Sequence, residues 1–168
     1  MNITDFGPVK PSVQPYQSGY SVPVALKQVE RPGIGDGTVE HSWQGYLLMV
    51  PFLSELELDA AIAGLPKGDY SADRQAALEE GIKRQRRALY PPLENLLYAM
   101  AEDDAAGIAA YKSCCNEAHR LHPDLWVSGV TYAPDALVQH HGVRYRKLND
   151  GDNTEPDGVG GGWRAVTK

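Results

Sequence analysis

Hydrophobic spacing divides the chain into three stretches. From residue 1 to about 45 no helical period develops. Prolines recur at Pro8, Pro11, Pro15, Pro23 and Pro32, and each disfavours helix at the residue before it. Short β-prone pieces such as Tyr20-Ser21-Val22-Pro23-Val24 lie between them, and Arg31-Pro32-Gly33-Ile34-Gly35-Asp36-Gly37 is a loop by composition. Ile3, Phe6, Val9, Val13, Tyr16 and Tyr20 are too many apolar residues for a mere linker. The pattern predicts an extended arm over residues 1–45. Such an arm wraps over its own domain or lies across a neighbouring subunit, and the second reading is favoured.

Residues 46–123 read as helical. Ser54-Glu55-Leu56-Glu57 is a capping-box pattern that starts a short helix, ending at Gly64 with Pro66 beyond. A second helix begins near Ser71, with Ala77, Leu78, Ile82, Ala88 and Leu89 as its apolar stripe, and stops at Pro91-Pro92. Pro92 suits the first turn of the next helix, whose predicted buried face is Leu93, Leu96, Leu97 and Met100. Asp103 and Asp104 suit the positive end of a last helix dipole. That helix runs to about His122, with Ile108, Ala109, Tyr111, Cys115 and Ala118 inward.

From residue 124 to 168 the period shifts towards two. Leu137-Val138 and Val143-Tyr145 read as strands joined across His140-His141-Gly142, and Trp163-Arg164-Ala165-Val166 as a third. Residues 149–158 between them form a loop. The predicted class is therefore α+β: an extended N-terminal arm, a helical middle of three to four helices, and a small C-terminal three-stranded antiparallel β module over residues 124–168.

Composition narrows the function. The chain has 168 residues and a formal net charge of −6. It carries no Lys/Arg tract interleaved with aromatics, so nucleic acid is not an expected partner. The one basic cluster, Lys83-Arg84-Gln85-Arg86-Arg87, follows Glu79 and Glu80 and reads as a solvated or intersubunit helix face rather than a phosphate site. No apolar run reaches about 18 residues and no leader pattern opens the chain, so membrane insertion is not expected and synthesis in a cytoplasm is. Cys114 and Cys115 are adjacent and poorly placed to pair, so they read as reduced thiols, at least one of them buried.

The informative residues are Trp126, Tyr132, Tyr145 and Trp163. A module below about 50 residues builds only a meagre core, and aromatics bury roughly 150–250 Å² each. The four rings therefore read first as anchors of the module, with one or two of them as the alternative stacking surface for a sugar or a partner. Trp126-x₂-Gly129-x₂-Tyr132, Ala136-Leu137-Val138, Gly142-Val143-Arg144-Tyr145-Arg146, Asn153-x₂-Pro156 and Trp163-x₂-Val166 resemble the small chitin- and cellulose-binding modules of bacterial chitinases and of many phage tail and fibre proteins. The resemblance implies a short three-stranded antiparallel sheet and binding at Trp126, Tyr132, Tyr145 and Trp163. One departure stands out: chitin-binding members usually carry further exposed aromatics after the Tyr145 position, where this chain reads Arg146-Lys147-Leu148-Asn149. A looser stretch, Arg86 to Met100 with its Tyr90-Pro91-Pro92 and Leu-rich helix, resembles tailed-phage proteins found near the tail fibre.

Histidines at 119, 122, 140 and 141 have zinc-like spacings, but no second ligand pair stands at a matching spacing. The acidic loop Asp150–Asp157 fails the calcium template, which requires glycine where Glu155 stands. No metal and no cofactor is expected. Nucleophile, phosphate-loop and dinucleotide motifs are missing, so the chain reads as a non-enzyme. The leading expectation is a structural component of a phage or phage-like tail, near the baseplate or fibres, made in the host cytoplasm and residing in the virion. It would dock on other tail or fibre proteins in an oligomeric assembly and display the β module. Capture of a cell-surface polysaccharide and a tail-fibre assembly chaperone are the alternatives.

Overall fold

A computed structural model describes residues 2–16, 19–32, 38–149, 154–156 and 162–166. Among them the chain is α+β, with four helices and two antiparallel sheets. It divides into two compact units, Met1–Gly81 and Ile82–Lys168.

The first unit holds a four-stranded sheet of order β1-β4-β3-β2, from β1 (Thr4–Gly7), β2 (Gln14–Tyr16), β3 (Gly19–Pro32) and β4 (Val39–Val50). The stretch read as an extended arm is thus paired into a sheet that runs to Val50, with Arg31 and Pro32 inside β3 and Gly33–Gly37 outside the described residues. β3 and β4 form one long hairpin, in register from Tyr20↔Val50 to Pro32↔Val39. Val22, Val24, Leu48 and Val50 are buried at its base. The prolines fit because pairing is locally incomplete. Pro15 lies on the edge strand β2, and β2 pairs only Gly19 to Ser21, so Pro23 lies beyond it.

A register shift between Val24 and Lys27 puts Ala25 at φ 53°. The Ala25 N–H donates to Asp73 Oδ2 at 2.7 Å, which fastens this irregularity to the first turn of α2 (Ser71–Leu89). The capping box works as the pattern predicts: α1 (Glu55–Ile62) begins where Ser54 Oγ accepts the Glu57 N–H. Arg74 donates through Nε and a terminal nitrogen to both Asp59 oxygens, at 2.5 and 3.0 Å, tying α2 to α1. Leu58, Ala77 and Leu78 complete the core of this unit.

The second unit holds α3 (Leu93–Ala101), α4 (Ala105–Leu121) and a sheet of order β5-β6-β7, from β5 (Leu137–His140), β6 (Val143–Lys147) and β7 (Trp163–Ala165). Asp104 caps α4 by accepting the Ala106 N–H at 3.1 Å. Along α4, Ile108, Tyr111 and Cys115 are half-buried and Ala118 is buried, as their spacing predicts, whereas Ala109 is exposed.

Other expectations fail in this unit for identifiable reasons. Of the predicted buried face of α3, Leu93, Leu97 and Met100 are 57%, 56% and 57% exposed, and Tyr98 is 69% exposed. Ala99 is the buried residue of that helix, because its small side chain meets α4 where Gly107 has none. Ala88 and Leu89 are exposed, Cys114 is exposed and Cys115 half-buried. Arg86, read as part of a solvated or intersubunit face, is buried. Its Nε donates to the His122 carbonyl at 2.6 Å, at the end of α4, and a terminal nitrogen to Asp124 Oδ1 at 2.9 Å.

Two predictions follow from these contacts. A Cβ at Gly81 would lie 2.9 Å from Leu53 Cβ and 3.0 Å from its carbonyl oxygen. Gly81→Ala therefore destabilises by about 1–3 kcal/mol despite alanine's better helix propensity. A urea midpoint at or above the wild type would refute the close packing. Arg86→Met removes both bonds and costs about 1–3 kcal/mol, measured by the same titration.

Candidate functional site

The module's three strands pair in antiparallel register, with Val138↔Tyr145, His140↔Val143 and Lys147↔Trp163 as cross-strand neighbours. Side chains alternate between the two faces. One face therefore carries Val138, His140, Tyr145, Lys147 and Trp163. The other carries Leu137, Gln139, Arg144, Arg146 and Arg164.

The four predicted aromatics all belong to the module, in different roles. Trp163 is 6% exposed and its Nε1–H donates to the Thr154 carbonyl at 2.9 Å. Tyr132 stands edge-on to it at 5.3 Å between ring centroids, and the Tyr132 hydroxyl accepts the Val127 N–H at 2.8 Å. Lys147 is fully buried with its Nζ 5.0 Å from the Trp163 ring centroid. Tyr145 is half-buried on β6 between Val138 and Ala165. Trp126 is half-buried apart from this group, edge-on to His140 at 5.1 Å. The structure thus joins Tyr132 with Trp163 and sets Trp126 with the histidine pair instead.

The opposite face is polar and cationic. Arg146 and Arg164 are directly paired across β6 and β7, with Arg144 two residues along. Like charges placed opposite each other weaken a sheet, so this face gains from an acidic counterpart. The period-two spacing of Arg144 and Arg146 was visible in the sequence; the addition of Arg164 needed the register. Arg144 also borders a cleft of about 610 Å³ whose lining includes Leu89, Leu121, Val166 and Arg120. Arg120 is committed to Glu117, at 2.6 and 2.7 Å, and holds that carboxyl below its usual pKa.

The remaining histidines separate into two settings. His119 Nε2 shares a 3.0 Å hydrogen bond with Tyr90 Oη. His140 and His141 lie in and beside the β5–β6 turn, where together with Glu155 they place one potential ligand atom each within 4.8 Å of one another. Among the described residues this is the single group of three or more metal-capable side chains so gathered. Of the acidic loop, Asp150–Asn153 and Asp157 lie outside the described residues.

No family model, curated protein or solved structure matches the chain.

The anchoring roles can be tested directly. Trp163→Ala costs about 3–5 kcal/mol, enough to unfold the module as followed by near-ultraviolet circular dichroism. Tyr132→Phe keeps the ring, removes the hydroxyl that accepts the Val127 N–H, and costs about 1 kcal/mol. Equal and small losses from both would show that these rings are not its core.

Proposed function

We propose that this chain is a non-catalytic structural component of a multi-subunit assembly, and that the assembly is a phage or phage-like tail, as the sequence resemblance implies. The observation that carries the reading is the outer stripe of α3. Leu93, Leu97 and Met100 recur at helical spacing and are each more than half exposed. A contiguous apolar patch is costly in water and marks an interface with another protein. Its occupant in this reading is an apolar face of a neighbouring tail subunit.

The C-terminal module supports a protein contact over a sugar contact. Trp163 and Tyr132 are engaged inside the module, which leaves fewer flat rings to stack on a pyranose. The arginines of the opposite face suit acidic side chains of a partner.

Mass spectrometry of purified particles tests the assignment, and the chain is expected among their proteins. Its presence on expressed fibres but absence from finished particles would favour the assembly chaperone instead. Leu93→Asp with Leu97→Asp leaves the isolated chain folded, because both positions are exposed, and reduces its incorporation into particles about tenfold or more. Normal incorporation of that variant would remove α3 from the interface.

A further inference from the structure

We propose that His140, His141 and Glu155 form a binding site for a divalent transition-metal ion of the zinc class. The inference is independent of the assembly reading. Consecutive residues of a strand project to opposite faces, so two adjacent histidines ordinarily cannot share a ligand. Here the pair His140↔Val143 closes a two-residue turn, His141-Gly142, with φ 46° and 72°. Both values are positive, as a type I′ hairpin requires, and asparagine-glycine is the unstrained choice for it. Histidine at the first of these positions brings its ring alongside that of His140, with centroids 4.0 Å apart.

Glu155 completes the set from a distant part of the chain. Its Oε1 accepts a hydrogen bond from His140 Nε2 at 2.9 Å and lies 4.0 Å from His141 Nε2. Ligands on a tetrahedral zinc, at bond lengths near 2.1 Å, stand about 3.4 Å apart. The observed separations bracket that value, so side-chain rotations of about an ångström convert the cluster into a coordination shell. The ion then takes the place of the Nε2 proton of His140, and the imidazole stays neutral by carrying its one proton on Nδ1, moved there by exchange through solvent.

The chemistry of the donors selects the ion. Two imidazole nitrogens and one carboxylate suit zinc and its neighbours rather than calcium or magnesium, which prefer all-oxygen shells. One carboxylate and two neutral imidazoles give the site a single negative charge, favourable to a dication. Trp126 packs edge-on against His140 and gives the inner ligand a fixed, apolar wall. His140 is only 12% exposed by side chain, whereas His141 and Glu155 are 58% and 54% exposed, so the ion enters from the solvent side. Three protein ligands leave a fourth position open to water or to a donor from a partner. Bound metal would also fasten the segment bearing Glu155 to the β5–β6 turn.

Calorimetric titration of the full, tag-free chain with zinc, supported by cobalt(II) absorption, tests the proposal. One ion per chain is expected, with cobalt bands of nitrogen–oxygen character and no thiolate charge-transfer band. His141→Asn preserves the turn, and Glu155→Gln preserves the side-chain shape. Each is expected to weaken zinc binding about tenfold or more while circular dichroism stays unchanged. The double change Cys114→Ser with Cys115→Ser controls for the free thiols, and leaves the affinity unchanged. The proposal is overturned if the folded wild-type chain binds no zinc at millimolar concentration. It is equally overturned if the affinity survives in folded His141→Asn, or follows the cysteines.

Discussion

The C-terminal module depends on one buried indole. Among the buried apolar residues around this sheet, Leu125, Val138 and Trp163, the indole is the largest side chain. Its ring carries Tyr132 at its edge and Lys147 over its face, and its Nε1–H reaches across to the Thr154 carbonyl. The lysine is an uneven partner. Its Nζ is buried with no hydrogen-bond partner among the described residues. A desolvated ammonium costs several kcal/mol, and a cation over an indole face regains about 2 kcal/mol or more where water is excluded. Trp163 thus offsets part of the cost of burying the lysine. The four-methylene stem, packed in the core, offsets part of the remainder.

The same indole positions the polar cluster. By holding the Thr154 carbonyl, Trp163 fixes the backbone immediately before Glu155, whose carboxylate then meets His140 on β5. Trp126 holds His140 from the other side. Two tryptophans thus act through packing and one hydrogen bond to bring together side chains fifteen residues apart. A sugar-stacking platform would need these rings turned outward. Their inward placement and the chemistry gathered around them belong to one arrangement.

Much of the fold was legible because it follows local rules. Ser54 with Glu57, Pro91 with Pro92, and Asp104 each act on neighbours within a turn, and each marks a boundary the structure keeps. The three strands of the module were equally readable from period and turn residues. What was not legible depends on pairing over distance. Nothing in residues 1–45 states that they pair with one another and with the strand ending at Val50, because proline spacing describes backbone restriction and not partners. Pro15 fits the sheet because β2 is an edge strand, and Pro23 because β2 ends before reaching it. Arg86 looks like any surface arginine in a basic run, and its burial follows from where the His122 carbonyl lies. Glu155 breaks the calcium-loop template, and its relation to His140 is set instead by the register around Trp163.

The leucine-rich face of α3 separates two meanings of an apolar stripe. Period alone shows that Leu93, Leu96, Leu97 and Met100 gather on one side of a helix; it does not say whose surface covers them. Within this chain α3 meets α4 through its smallest residues. A Cβ on Gly107 would lie 2.9 Å from Ala99 Cβ, so there is no room for a side chain at this point of the contact between the two helices. Contact through small residues excludes large ones from the same seam. Leu93, Leu97 and Met100 are thereby turned away, each more than half exposed. A chain selected only for its own stability would bury that area at about 25 cal/mol per Å². On α3, small residues face inward to α4 and large ones face outward, so helical period and burial are set by different residues of the same helix.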